Sequence, residues 1–212
     1  MSSRRHSSGP PRRRPSNDAV RKQILVFTEG LKTEPWYVRS WHQHCRSHVI
    51  VTVSECHGVP LTLVQNALEE KRREAGNERK GKGRAYDEIW CLFDVDEHPN
   101  IPEAIALAEA NGIQLAISNP CIELWFLLHL GDQTAFIDRH VAKRGADKVL
   151  FPDRAAESTA FDQLLANHAE AKQRAIKLDQ KHAGDGSPAL TNPSSSVWKL
   201  IDSIRIPQTT SQ

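Results

Sequence analysis

The chain has 212 residues, 39% hydrophobic and only 6% aromatic, with a formal net charge of +2. Such totals suit one globular domain with decorations; no run approaches 18 apolar residues, so a transmembrane helix is not expected, and the N-terminal arginines lack the apolar stretch of a secretory signal. The widely spaced cysteines, Cys45, Cys56, Cys91 and Cys121, include no CxxC pair, so reduced thiols in a cytoplasmic protein are expected, with a zinc site around Cys56 and His57 as a weaker alternative that lacks ligand spacing.

Residues 1–22 hold seven Lys/Arg against one Asp, whereas the rest of the chain holds 21 Lys/Arg against 25 acids. A tail such as "RRHSSGPPRRRPS" has too little apolar surface to bury, so 1–22 is expected to be disordered, as is the short end 207–212. The tail either attracts phosphates by charge alone or is simply solvated. "QILVFTEG" (23–30) reads as a first strand buried on both faces. "TEPWYVRSWHQHC" (33–45) reads as a helix, with Thr33 as its cap and Pro35 in its first turn. "HVIVTVSEC" (48–56) is a valine-rich second strand. A helix over 60–80 decays into a charged end, and "GKGRAY" (81–86) is a loop. "DEIWCLFDVD" (87–96) is a third strand, "IPEAIALAEANG" (101–112) a helix closed by Asn-Gly, and "IQLAISNP" (113–120) a fourth strand stopped by Pro120. "CIELWFLLHL" (121–130) is apolar almost all round and is expected to be a buried helix. Beyond 131 the strand signal fades. Residues 157–186 read as helical, and "NPSSSVWKLIDSI" (192–204) as a capped final helix.

Strands alternating with helices predict repeated βαβ units, hence an α/β fold with a parallel sheet of about four strands flanked by helices. Residues 23–130 form that sheet domain, and 131–206 a helical extension packed on it.

Parallel sheets bind ligands at the carboxyl ends of their strands, and here each end is polar: Thr28-Glu29-Gly30, Glu55-Cys56-His57, Asp94-Val95-Asp96-Glu97-His98 and Ser118-Asn119. Asp94 and Asp96, two apart on a strand, point the same way. With Glu29 they would form an acidic trio, and like charges that close need a cation. Mg²⁺ (or Mn²⁺) suits oxygen donors and serves phosphoryl chemistry by activating water and stabilising a leaving oxygen. Gly30 permits a tight turn with room for a ligand. Glu97 is either a further ligand or a solvated loop acid, and His98 either positions water or phosphate or is a plain loop histidine. Glu123, in an otherwise apolar helix start, either accepts helix N–H groups or reaches the metal site. Ser118 and Asn119 are placed either for phosphate or metal-water contacts or to cap the next helix. Lys32 offers positive charge near the acids, and Lys82 and Arg84, in a flexible basic loop, are candidates for a nucleic-acid backbone. Trp36, Trp41, Trp90 and Trp125 read as core.

Four stretches, "ILVFTEGLKTEPWY", "DEIWCLFDVDEHPN", "ISNPCIELWFLLH" and "NPSSSVWKLI", occur in order at reasonable spacing over roughly residues 23–205, and together they resemble the signatures of RloB-like proteins, the AbiLii type. The resemblance implies a Toprim-like fold related to the nuclease domains of the OLD family. It implies that Glu29, Asp94 and Asp96 are the catalytic metal ligands, with Glu34 as the added acid of OLD-type nucleases, here at an offset of five rather than four. It also implies a role in phage defence (abortive infection) beside a partner ATPase encoded nearby.

The reading that results is a Mg²⁺-dependent nuclease acting on DNA or RNA. One alternative is a haloacid-dehalogenase-like phosphatase, since "FDVDE" resembles that family's Asp-x-Asp motif with Asp94 as nucleophile. The motif lies on the third strand rather than the first and is followed by Glu97, which counts against it. Another is a non-catalytic partner or sensor of an ATPase. A topoisomerase is disfavoured because Tyr37 and Tyr86 lie in a helix and a loop. Substrate specificity and homo-oligomer formation are left open, as no base-reading motif is present.

Overall fold

The computed structural model describes residues 21–95, 98, 100–150 and 157–205. The expectations for Asp96 and Glu97, and for most of both tails, lie outside the described residues. Lys22, assigned to the tail for its charge, instead opens the first strand and is only 8% exposed. Its ammonium is satisfied by Glu88 Oε1 at 2.5 Å and the Ser203 hydroxyl at 2.6 Å, which is what makes its burial tolerable.

Five strands form one sheet in the order β2-β1-β3-β4-β5. Strands β1 (Lys22–Thr28), β2 (Val49–Val53), β3 (Glu88–Asp94) and β4 (Gln114–Asn119) are parallel. The two-residue β5 (Ser194–Ser195) pairs antiparallel with the end of β4. Helices α1 (Thr33–Cys45), α2 (Pro60–Arg79) and α3 (Ile101–Asn111) make the crossovers. Lys32, not Thr33, precedes the first turn of α1, and no side chain caps it. Pro60 and Pro102 enter the first turns of α2 and α3, where a missing N–H costs nothing. Gly112 closes α3 at φ 62°, the left-handed geometry that Asn-Gly suggested.

Strand residues alternate between two apolar layers. Ile24, Val26, Trp90, Leu92 and Ala116 face α1, α4 (Ile122–Leu130) and the C-terminal helices. Leu25, Phe27, Ile89, Cys91, Phe93 and Ile117 face α2 and α3. A sheet covered on both sides needs continuous apolar strands, and the central β1 and β3 supply them over residues 24–27 and 89–93. Trp41, Trp90 and Trp125 are buried, and Trp36 is half-buried against the same core. No helix among the described residues is long and apolar enough to cross a membrane.

After α4 the chain is helical: α5 (Arg139–Leu150), α6 (Glu157–Ala166), α7 (His168–Gly184) and α8 (Val197–Arg205). The helical stretch expected over 157–186 is broken at Asn167. The final helix starts at Val197 rather than near 192, because Ser194 and Ser195 are taken by β5.

Candidate metal centre

The strand order reverses between β1 and β3: the chain runs from β1 outward to β2, then crosses back to β3 on the other side of β1. Such a switch point leaves a crevice outside the carboxyl ends of the two strands. Glu29 follows β1 there, and Asp94 ends β3. The backbone N–H of Glu29 donates to Leu92 O at 3.0 Å, and the N–H of Asp94 donates to Glu29 Oε2 at 3.1 Å. The other oxygen of Glu29 lies 3.2 Å from His98 Nε2. His98 therefore holds Glu29, with its Nε2 proton facing the carboxylate.

Asp94 shares the parity of Trp90 and Leu92, so it points toward the α1 and α4 layer. Two more carboxylates come from that layer. Glu34, in the first turn of α1, accepts the Gly30 N–H at 3.0 Å. Glu123, in the first turn of α4, is buried beside Cys121. A Cβ at position 30 would overlap the Glu34 carboxylate, so that carboxylate keeps its place only beside a glycine.

Asp94 is pushed well above the ordinary carboxylate range, first by burial and then by repulsion from Glu34, Glu29 and Glu123, while Arg139 works in the opposite sense. Glu34 is also raised, first by burial, with Glu123 and Glu29 adding to it. Oδ1 of Asp94 is buried and has no hydrogen-bond partner among the described residues. A buried acceptor left bare within a group of acids fits a hard cation that would take it as a ligand. Among the described residues, no group of three or more His, Cys, Asp or Glu side chains is arranged to hold an ion as it stands. Asp96, the third ligand expected from sequence, lies outside them.

Other candidates lie elsewhere or are engaged. The Ser118 hydroxyl, beside Asp94 in register, is buried and bonded to the Ser195 hydroxyl at 2.9 Å. Asn119 donates to Leu190 O at 2.6 Å. Neither caps α4, which follows Cys121 without a side-chain cap. Lys32 is exposed just before α1 and lines an open cleft with Trp36, Arg39 and Phe161. Lys82 and Arg84 precede β3 and so lie at the amino edge of the sheet, the opposite edge from Asp94. Arg84 is also held by Asp87 at 2.6 Å. The structure thus separates that loop from the acids.

Sequence reasoning named His57 only among the polar strand ends and missed Arg139. His57, after β2, lies 3.0 Å from Thr28 O through Nδ1 and so pins the turn that carries Glu29. Arg139 begins α5, and its charge reaches Asp94. Its backbone oxygen lies 3.9 Å from the Cys121 sulfur. Placement of polar residues at strand ends pointed to His57, but nothing in the sequence linked residue 139 to residue 94. Tyr37 is buried, and its hydroxyl accepts a bond from Trp125 Nε1 at 2.8 Å, so it is no exposed nucleophile. The cysteines are unpaired, and only Cys56 is exposed.

A family model described as RloB-like protein matches residues 24–204. No curated protein and no solved structure matches the chain significantly.

Proposed function

The chain belongs to the RloB-like family, and on that premise we propose that it is a divalent-metal-dependent nuclease of the Toprim type, hydrolysing phosphodiester bonds at the β1/β3 switch point. The observation that carries this reading is the bare, buried Oδ1 of Asp94 beside Glu29, Glu34 and Glu123. Glu29 and Asp94 would hold Mg²⁺ or Mn²⁺, with Asp96 as the expected third ligand and Glu34 and Glu123 adjacent. When bound, the metal supplies an activated water and charge stabilisation for the leaving oxygen. The chain's own residues prepare the place. Glu29 is aimed by the Asp94 N–H and by His98, and Glu34 is aimed by the Gly30 N–H. Thr28 and His57 fix the turn between β1 and α1. An effector role in phage defence beside a partner ATPase is supported by the family resemblance.

The test combines calorimetric titration of the purified protein with Mn²⁺ and incubation with DNA and RNA, alone and with the neighbouring ATPase. Binding and metal-dependent cutting are expected, both lost on chelation and in Asp94→Ala and Glu29→Gln. Cutting that is unchanged in those variants, or a protein that binds no metal, overturns the reading.

A further inference from the structure

Helix α5 carries Arg139, His140, Lys143, Arg144 and Lys148 against a single Asp147, and all six are exposed. Its buried stripe is made only of Ala142, Ala146 and Leu150, spaced four apart. Gly145 brings it against α4, where an added Cβ would touch Leu127 at 3.4 Å. On the open side run two adjacent rows, His140-Arg144-Lys148 and Arg139-Lys143-Asp147, bordered by the exposed Val141 and Val149.

Some helix cations elsewhere in this chain are matched by acids: Arg73 with Glu70, Lys172 with Asp202, and Arg174 with Asp132. Lys143, Arg144 and Lys148 form no ion pair among the described residues. Outside residues 1–22 the protein carries more acids than Lys/Arg, so four Lys/Arg against one Asp on a single 12-residue helix is a local inversion of charge. Its position is equally specific. The start of α5 touches the start of α4 through Arg139 O and Cys121, two residues before Glu123. Asp138 secures that end by accepting the N–H groups of His140 and Val141 at 2.8 and 3.2 Å. Asn192 holds the preceding residue on both sides, accepting from Ile137 N at 3.0 Å and donating to Ile137 O at 2.9 Å. Phe136, just upstream, is 76% exposed and offers a ring face to an unstacked base.

We propose that the open face of α5 holds the phosphodiester backbone of the nucleic-acid substrate and delivers it to the acids at the β1/β3 switch point. This rests on the nuclease reading above. From Arg139 to Lys148 the helix rises roughly 14 Å, about four nucleotide steps at ~3.4 Å per step along a strand. The contacts are with phosphates and carry no sequence preference. Arg139, at the end nearest Asp94, is the residue closest to the bond to be cut. This face replaces the Lys82–Arg84 loop as the backbone-binding element.

The test is fluorescence anisotropy of labelled DNA and RNA, single- and double-stranded, with the full chain in EDTA, where cutting is suppressed. The triple variant Lys143→Glu, Arg144→Glu, Lys148→Glu changes only exposed groups, and its melting temperature is checked against the unchanged chain. It is expected to bind at least tenfold more weakly at 0.1 M salt. The slope of log affinity against log salt should shrink by about two to three for duplex DNA, close to one per lost phosphate contact. Lysine–arginine exchanges at the three sites should retain binding. The basic tail is present in both proteins, so the difference isolates α5. Equal affinity and slope in the triple variant overturns the proposal, as does loss of binding only to anionic lipid vesicles or to an acidic partner protein. If the unchanged chain cuts with Mn²⁺ while α5 is dispensable, this inference fails and the nuclease reading stands. If it binds through α5 but never cuts, with or without the ATPase, the reverse holds.

Discussion

The N–H of Asp94 points at the carboxylate of Glu29, 3.1 Å away across 65 residues of chain. The carboxylate of Glu29 is thus oriented by the end of β3. This contact fixes where β1 and β3 end relative to each other, and it costs something: two carboxylates share a partly dry pocket with Glu34 and Glu123.

That cost can be measured without any activity. A carboxyl whose folded pKa is raised contributes stability below its unfolded pKa and loses it as pH rises through the folded value. At neutral pH the metal-free protein carries this penalty at Asp94 and Glu34. Asp94→Asn, which cannot ionise, is expected to raise the melting temperature of the metal-free protein by a few degrees. Added Mn²⁺ should stabilise the unchanged chain and not the variant. A lower melting temperature for Asp94→Asn without metal would contradict the repulsion.

Gly30→Ala is predicted to displace the Glu34 carboxylate, since the new methyl group would occupy its place. Overpacking of this kind costs about 1–3 kcal/mol. Denaturant melts should show that loss, and Mn²⁺ titration should show at least tenfold weaker binding. A variant with unchanged metal affinity would remove Glu34 from the site.

A second prediction from titration concerns the C-terminal layer. His129 is pushed down to about 3, chiefly by burial. His168, with its ring centroid 6.3 Å away, is also lowered by burial although it is bonded to Asp202. His129 Nδ1 faces Trp125 O at 2.8 Å and so carries the proton of a neutral ring. Lowered folded values mean that stability is full above the unfolded pKa of about 6.5 and is lost as pH falls toward the folded one. The melting temperature should therefore drop between pH 7 and pH 5. In His129→Asn, whose amide can keep the bond to Trp125, the drop should be smaller. Equal drops in the two proteins would exclude His129 as a source.

Asn192→Ala should free the segment before α5, because both amide atoms of Asn192 bond Ile137. Two part-buried hydrogen bonds together contribute about 1–3 kcal/mol. Amide exchange at residues 137–140 should accelerate while that of β1 and β3 stays slow. Uniform acceleration would mean that the contact supports the whole fold.

The first four strands and helices were legible because each signal is strong by itself. "ILVF" and "IWCLF" are apolar without alternation, and Pro60, Pro102 and Gly112 mark helix ends. The later elements were harder for identifiable reasons. The apolar stripe of α5 is two alanines and a leucine among charges, too thin to read as a helix. Strand β5 is two serines, and its pairing with β4 exists only in three dimensions. The break at Asn167 contains neither Gly nor Pro. Of the site, Glu29 and Asp94 follow from strand ends alone, and Glu34 and Glu123 are placed by helices whose packing angle no sequence pattern states. Lys82 and Arg84 were separable from the acids in advance, since a loop before a parallel strand lies at its amino edge. Charge drew attention to them, and topology moves them away.

The contact of Lys22 with Ser203 places the first strand and the last helix side by side. That junction lies at the amino edge of the sheet, and the seven residues of β1 put it roughly 20 Å from the acids. Cargo joined directly to residue 21 or residue 205 would therefore start from the side away from the chemistry. A circularly permuted chain, joined across this junction by a short linker and opened between Gly81 and Arg84, would keep every strand pairing and both layers intact.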